Sequence, residues 1–336
     1  MLHGILKQVS RSFYLTLNVL PATVRDQMGL AYLFARAADT IADTDLISRE
    51  QRLEYLRRFQ QQFLGGVERT DVQDLRTALL PHQADSAERV LLQRLPDCLQ
   101  VFDEFETADQ ARIRWLMSVL PNGMVMDLTR FHAESTQKLT ALTTMNELDQ
   151  YTYYVAGCVG EFWTRMVCAH CPAMVRWDVE RMAAIGVRFG KGLQLTNIVK
   201  DIARDLQHGR CYVPEQLLDE VGLKPADLLH GESLPKLRPI LLRLIKAAME
   251  HLDQGWVYTM AIPRFEIRQR LACMWPILLA GETLQRVASA PDLLDPTVNV
   301  KAPRTVVYRV MALTTLTGAC GYAGTAYWAR LRKQIV

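Results

Sequence analysis

Apolar residues recur along most of this chain at three- and four-residue spacing, the period that gathers side chains on one face of an α-helix. Leu53, Leu56, Phe59 and Phe63 share such a face, and Ser48 with Gln51 supplies the reciprocal capping signal that opens their helix. Gly65-Gly66 is expected to stop it. Thr107 with Gln110 and Thr144 with Glu147 repeat the opening signal. Ser86 is placed to cap the helix carrying Leu91, Leu92 and Leu95, and Pro214 suits the first turn of another. No stretch alternates apolar and polar residues long enough to predict a strand. Residues 65–86 and 207–236 read as loop-rich rather than as interdomain linkers, and no repeat or low-complexity tract interrupts the pattern. The expectation is one all-α domain.

The last thirty residues read differently. Between Arg309 and Arg330 no residue is charged, which meets the length of a membrane span. Thr314, Thr315, Thr317, Gly318, Gly321, Gly324 and Thr325 dilute its apolar content, so a packed or membrane-surface helix is expected instead. Residues 1–300 would then form the main domain, with 301–336 as a C-terminal helical segment. The opening MLHGILKQVSRSF lacks the long apolar stretch and cleavage pattern of a secretory signal.

Composition narrows the class. Apolar residues make up 49% of the 336, enough for a large core and against wholesale disorder. The 39 basic and 36 acidic residues are interspersed and leave a net charge of only +3, so nucleic acid is not the expected partner. The 7 cysteines are too scattered for a disulfide framework, and a reducing, cytoplasmic setting is expected. Cys168 and Cys171 have zinc-like spacing but no second pair, which favours a structural role.

The candidate chemistry lies in two acidic turns. Asp39 and Asp43 end the segment GLAYLFARAADTIAD, four residues apart and therefore on one helix face. Asp201 and Asp205 repeat that spacing, and Gln194 and Asn197 extend the same polar stripe one and two turns earlier. Paired carboxylates of this kind suit Mg²⁺, which prefers oxygen ligands and keeps several waters. A solvated helix face or structural ion pairing is the plainer reading of any single Asp-xxx-Asp. The neighbours here are apolar (Leu33, Phe34, Ala37, Ala38 and Ile41; Leu193, Leu195, Ile198, Val199 and Ile202), and buried carboxylates repel unless a cation sits between them. Arg36, Lys200, Arg204 and Arg210 lie close in sequence to these aspartates, as phosphate binding would require. Ordinary pairing with the aspartates is credible for Arg204 and weaker for Arg36.

The order SRSF, YLFARAADTIAD, GMVMD, YTYYVAGCVGEF, then QLTNIVKDIARD with GRCYVP resembles the squalene/phytoene synthase family, from about residue 8 to 290. The resemblance implies the class I isoprenoid synthase fold, a single-domain helical bundle around a central apolar cavity. It implies that Asp39, Asp43, Asp201 and Asp205, helped by Asn197, hold Mg²⁺. By the same likeness Ser10, Arg11, Tyr32, Arg36, Gln194, Lys200 and Arg210 bind diphosphate, and Tyr151 acts in proton transfer or cation steering. Phe13, Tyr32, Tyr151, Tyr154 and Phe162 would stabilise cations through their faces or simply fill the core. Ala156, Gly157 and Gly160 would admit a prenyl chain against the backbone or let two helices pack closely, and both readings stay open.

Within the family, squalene from two farnesyl diphosphates with NADPH, dehydrosqualene without reductant, and phytoene from a longer donor share these motifs. The stretch CMWPILLAGETL from Cys273 and the basic segment VKAPRTVVYR resemble squalene synthases, placing Lys301, Arg304 and Arg309 near reductant. The second motif, DIARD, lacks the Gly-Glu-Asp ending common in phytoene synthases. No glycine-rich dinucleotide fingerprint follows a strand, so NADPH rests on the resemblance alone. A helical scaffold that kept the fold without the chemistry is the reading from another class. A monomer with peripheral membrane contact is expected.

Overall fold

The computed structural model describes residues 2–9, 13–44, 47–64, 70–80, 85–131, 136, 139–317 and 321–335. Among them run α1 (Leu2–Val9), α2 (Phe13–Val19), α3 (Ala22–Asp43), α4 (Arg49–Leu64), α5 (Thr70–Leu79) and α6 (Ser86–Gln93). Next come α7 (Leu95–Glu104), α8 (Thr107–Val119), α9 (Pro121–Arg130), α10 (Met145–Thr152), α11 (Cys158–His170) and α12 (Val179–Gln207). The chain closes with α13 (Glu215–Glu220), α14 (Leu234–Ala261), α15 (Ile267–Ser289), α16 (Arg304–Thr317) and α17 (Tyr322–Ile335). The only strands among the described residues are β1 (Thr140–Ala141) and β2 (Arg210–Cys211), paired in parallel. The fold is the expected all-α one.

α12 is the axis. It packs against α10, α11, α14 and α15, and its buried residues are spread around its circumference, as expected of a helix enclosed by others. α3 is anchored differently. Phe34, fully buried, meets Phe59, Phe63 and Phe102 edge to face at centroid distances of 6.5, 4.8 and 5.9 Å. Each such pair adds roughly 0.5–1.5 kcal/mol beyond area burial and fixes the helix that carries the first acidic turn.

The small residues of YVAGCVG bring α11 and α12 together. A Cβ on Gly160 would lie 1.9 Å from the Gly186 carbonyl oxygen, and one on Gly190 would lie 2.1 Å from that of Ala156. The backbones therefore touch, and close packing accounts for these glycines. Between α10 and α11, Tyr153–Gly157 forms a five-residue π-helical turn, with the Cys158 amide donating to the Tyr153 carbonyl. Wide turns of this kind inside helices concentrate at functional sites.

Several helix starts differ from expectation. Asp85, not Ser86, caps α6, because its carboxylate accepts from the Ala87 and Glu88 amides at 2.8 and 3.1 Å. Thr107 is already helical, and the Gln110 side-chain amide instead donates to the carbonyls of Asp103 and Phe105. Pro214 stands just before α13. The Ser48–Gln51 pair does form its reciprocal bonds, and Thr144 does cap α10. Gly65 and Gly66 lie outside the described residues, and α5 occupies part of the stretch expected as loop.

The uncharged C-terminal stretch is not one helix. It divides into α16 and α17, both packed on α15, with Gly321 at φ 68° before α17. Trp328 stacks on Trp256 and donates to Asp253, while Tyr327 donates to the buried Glu282 at 2.5 Å. No helix among the described residues is long and apolar enough to cross a membrane.

Candidate active site

The two acidic turns share one mouth. Asp39 and Asp43 from the end of α3, with Gln194, Asn197, Asp201 and Asp205 along one stripe of α12, line a single pocket of about 210 Å³. Asp39 keeps 39% of its side chain open to solvent. It is nevertheless deep enough that burial, and then Asp43, push its carboxyl up to about 6 against the pull of Arg36. Burial and then Asp201 push Asp205 up to about 7. Carboxyls raised in this way gain from any cation that enters.

Arg210 closes the mouth from a third side. α12 ends at Gln207, and Gly209, at φ 75°, supplies the left-handed residue that reverses the chain. β2 then pairs with β1, and Arg210 is directed back to Asp43, which accepts from its guanidinium at 3.2 and 3.3 Å. Asp127 of α9 lies 4.0 Å from Arg210. Tyr151 of α10 and Tyr212 stack at 4.7 Å between centroids, and both phenols donate to Asp127 Oδ2, at 3.1 and 3.0 Å. Burial pushes the Asp127 carboxyl up to about 7 and the Tyr151 phenol well above its usual 10.

Below the mouth lies an apolar cavity of about 410 Å³. Gln194 and Asn197 line both spaces, so polar rim and apolar interior are continuous. Tyr32, Phe162, Trp163 and Phe189 supply aromatic walls. The touching faces of α11 and α12 supply a smooth one through Ala156, Gly160, Gly186 and Gly190. Close packing and access to backbone therefore coexist at these positions.

The other expected residues divide by place. Arg36 pairs with Asp39 and with Glu88, each at 2.5 Å, and Lys200 pairs with Asp201 at 2.6 Å. Ser10 and Arg11 lie outside the described residues, as does the side chain of Phe13. Tyr154 lines neither space and accepts from Gln150. Lys301, Arg304 and Arg309 also line neither space. Arg309 donates instead to Tyr327 and lies 3.6 Å from Glu282. Asp127, Tyr212 and Glu88 were missed as site residues, although GMVMD and GRCYVP contain the first two.

Among the described residues, no three acidic, histidine or cysteine side chains converge to hold a metal by themselves. The donor set still fits Mg²⁺ in its usual mode, held by one or two carboxylates with water and phosphate oxygens completing the shell. Asp39 with Asp43 on one side and Asp201 with Asp205 on the other offer that number each.

Residues 6–305 match the family model described as squalene/phytoene synthase. The chain is 25% identical over 317 residues to squalene synthase ERG9 of Saccharomyces cerevisiae, covering 94% of this chain and 67% of that protein. It is 29% identical over 248 residues to the bifunctional lycopene cyclase/phytoene synthase of Arthroderma gypseum, covering 73% of this chain and 39% of the longer protein. The chain thus spans only part of the length of these relatives. A solved structure of TcSQS with a ligand superposes with a TM-score of 0.77 at 22% identity, covering 99% of this chain and 95% of that one.

Proposed function

Because the chain belongs to the squalene/phytoene synthase family, we propose that it joins two farnesyl diphosphates head to head, through presqualene diphosphate, to a squalene-type hydrocarbon. The observation that carries this reading is the continuity of a carboxylate-lined mouth with an apolar cavity through Gln194 and Asn197. A diphosphate at the mouth would direct its prenyl chain into that cavity.

Asp39, Asp43, Asp201 and Asp205, with Asn197, would hold Mg²⁺ together with the diphosphate. The metal, when bound, neutralises charge developing on the leaving diphosphate. Arg210 adds a fixed guanidinium at the same mouth, and Arg36 and Lys200 hold Asp39 and Asp201 in place. The cavity keeps water from the allylic cation left behind and aligns the second donor's double bond for attack. Tyr32, Phe162 and Trp163 present aromatic faces to that cation. Tyr151, which lines the mouth, is the proposed proton-handling phenol.

Arg309 pairs with Tyr327 and Glu282, and Lys301, Arg304 and Arg309 line neither the mouth nor the cavity, so a reductant held by them would lie outside both. The phytoene synthase relative gives the longer geranylgeranyl donor a specific claim as the alternative. Product mass separates the outcomes. Farnesyl diphosphate with Mg²⁺ is expected to give dehydrosqualene or presqualene diphosphate without NADPH, and squalene with it. A better rate with geranylgeranyl diphosphate would select phytoene. No diphosphate release from either donor, by folded protein, would select a scaffold.

A further inference from the structure

Neutral tyrosine is a poor proton acceptor, and burial here pushes the Tyr151 phenol well above its ordinary value, so a resting phenolate is not at hand. A proton reaching its oxygen must displace the one already there. The geometry of α9 and of the segment just after β2 supplies somewhere for that second proton to go.

Asp127 Oδ2 accepts from both Tyr151 and Tyr212, and the two phenol oxygens lie 3.2 Å apart. Its other oxygen, Oδ1, is buried without any hydrogen-bond partner, although the residue lines the mouth. An unpartnered buried carboxylate oxygen is costly, and its presence at a reaction site calls for a role. Structural anchoring accounts for the two bonds to Oδ2, while an Oδ1 that no donor holds leaves the carboxyl free to take up a proton.

We propose that Asp127 is the proton store behind Tyr151, receiving through the phenol the proton lost when the cyclopropane closes. The inference rests on the coupling reaction proposed above. Attack by the second donor's double bond on the allylic carbon forms one carbon–carbon bond and leaves a tertiary cation. The ring closes when a C–H electron pair on the carbon that carried the departed diphosphate becomes the last ring bond. That proton passes to Tyr151 Oη while the phenolic proton moves to Asp127 Oδ2. Tyr151 ends neutral, Asp127 ends as a carboxylic acid with a free Oδ1, and no oxidant or reductant is needed. Asp127 therefore acts through Tyr151 as a positioning and proton-holding residue, not as a substrate contact.

The surrounding charges are consistent with this role. Burial raises the Asp127 carboxyl to about 7, Arg210, Tyr212 and Tyr151 draw it down, and Asp43 raises it. Asp205 faces it from α12. A group held near neutrality gives and takes a proton at small cost. Tyr212, donating to the same oxygen, keeps the carboxylate turned toward Tyr151.

The test compares wild type, Asp127→Asn and Asp127→Glu with farnesyl diphosphate and Mg²⁺, reading released diphosphate and cyclopropyl product in the same tube. Asparagine keeps the shape and cannot store the proton. The expected result is a fall of about 10²-fold or more in cyclopropyl product per diphosphate released, with quenched alcohols rising, and partial recovery in the glutamate variant. Deuterium on the carbon that loses the proton should slow ring closure more in Asp127→Asn than in wild type. An unchanged product-to-diphosphate ratio in a folded Asp127→Asn would overturn the inference and leave the coupling function standing. Loss of both readouts in equal proportion in both variants would overturn it also, marking Asp127 as merely structural. Silence from wild type would instead bring down the function and the inference together.

Discussion

Asp39→Asn and Asp201→Asn are each expected to cut turnover about 10²–10³-fold while leaving helicity at the wild-type level. The two residues sit on different helices but line one mouth, so each removes charge from the same leaving group. The substitutions are nearly isosteric. Arg36 keeps Glu88 when Asp39 loses its charge, and loss of the Asp39 charge relieves its repulsion with Asp43. The scaffold should therefore survive. Steady-state rates with farnesyl diphosphate, beside far-UV circular dichroism, make the measurement. Normal rates in either variant would remove the proposed role of that carboxylate.

Among the described glycines, Gly160→Ala is expected to be the most damaging addition of a methyl group. Its Cβ would meet the Gly186 carbonyl oxygen at 1.9 Å, a backbone atom that cannot rotate aside, so α11 and α12 must separate. Overpacking of this kind costs about 1–3 kcal/mol, and backbone displacement puts this case at the upper end. The urea midpoint should fall with little change in slope. Because both helices wall the apolar cavity, activity should fall as well. Gly4→Ala in α1 is the control, since nothing lies within 4 Å of its added carbon and the change should be neutral or slightly stabilising. Equal midpoints for the two variants would show that the helices do not touch as described.

Much of this site could be read from spacing, because one long helix carries half of it. Gln194, Asn197, Asp201 and Asp205 fall on one stripe by arithmetic alone, and α12 places them there. Asp39 and Asp43 follow from the same rule. What facing pairs of helices do to each other was not legible. Asp127, Tyr151 and Tyr212 come from three segments joined partly through β1 and β2, each two residues long and too short for any periodic signal. Asp127 and Tyr212 were visible only as parts of GMVMD and GRCYVP. The π-helical turn at Tyr153–Gly157 left no trace, since its register differs from that of a helix by one residue over one turn. The C-terminal stretch packs on α15, as its threonine and glycine content led one to expect, but its division was not read, although Gly321, adopting positive φ, marks where α17 begins. The contact of Arg309 with Glu282, set by how α16 and α17 fold onto α15, was not legible either.

Diphosphate release from farnesyl diphosphate, followed with Mg²⁺ and again with excess chelator, bears most directly on the two acidic turns as a metal-diphosphate grip. Release that needs the metal, accompanied by a coupled product of two farnesyl units, is the expected result. Folded protein that releases nothing with Mg²⁺ present, or releases as fast with the metal stripped away, would contradict it.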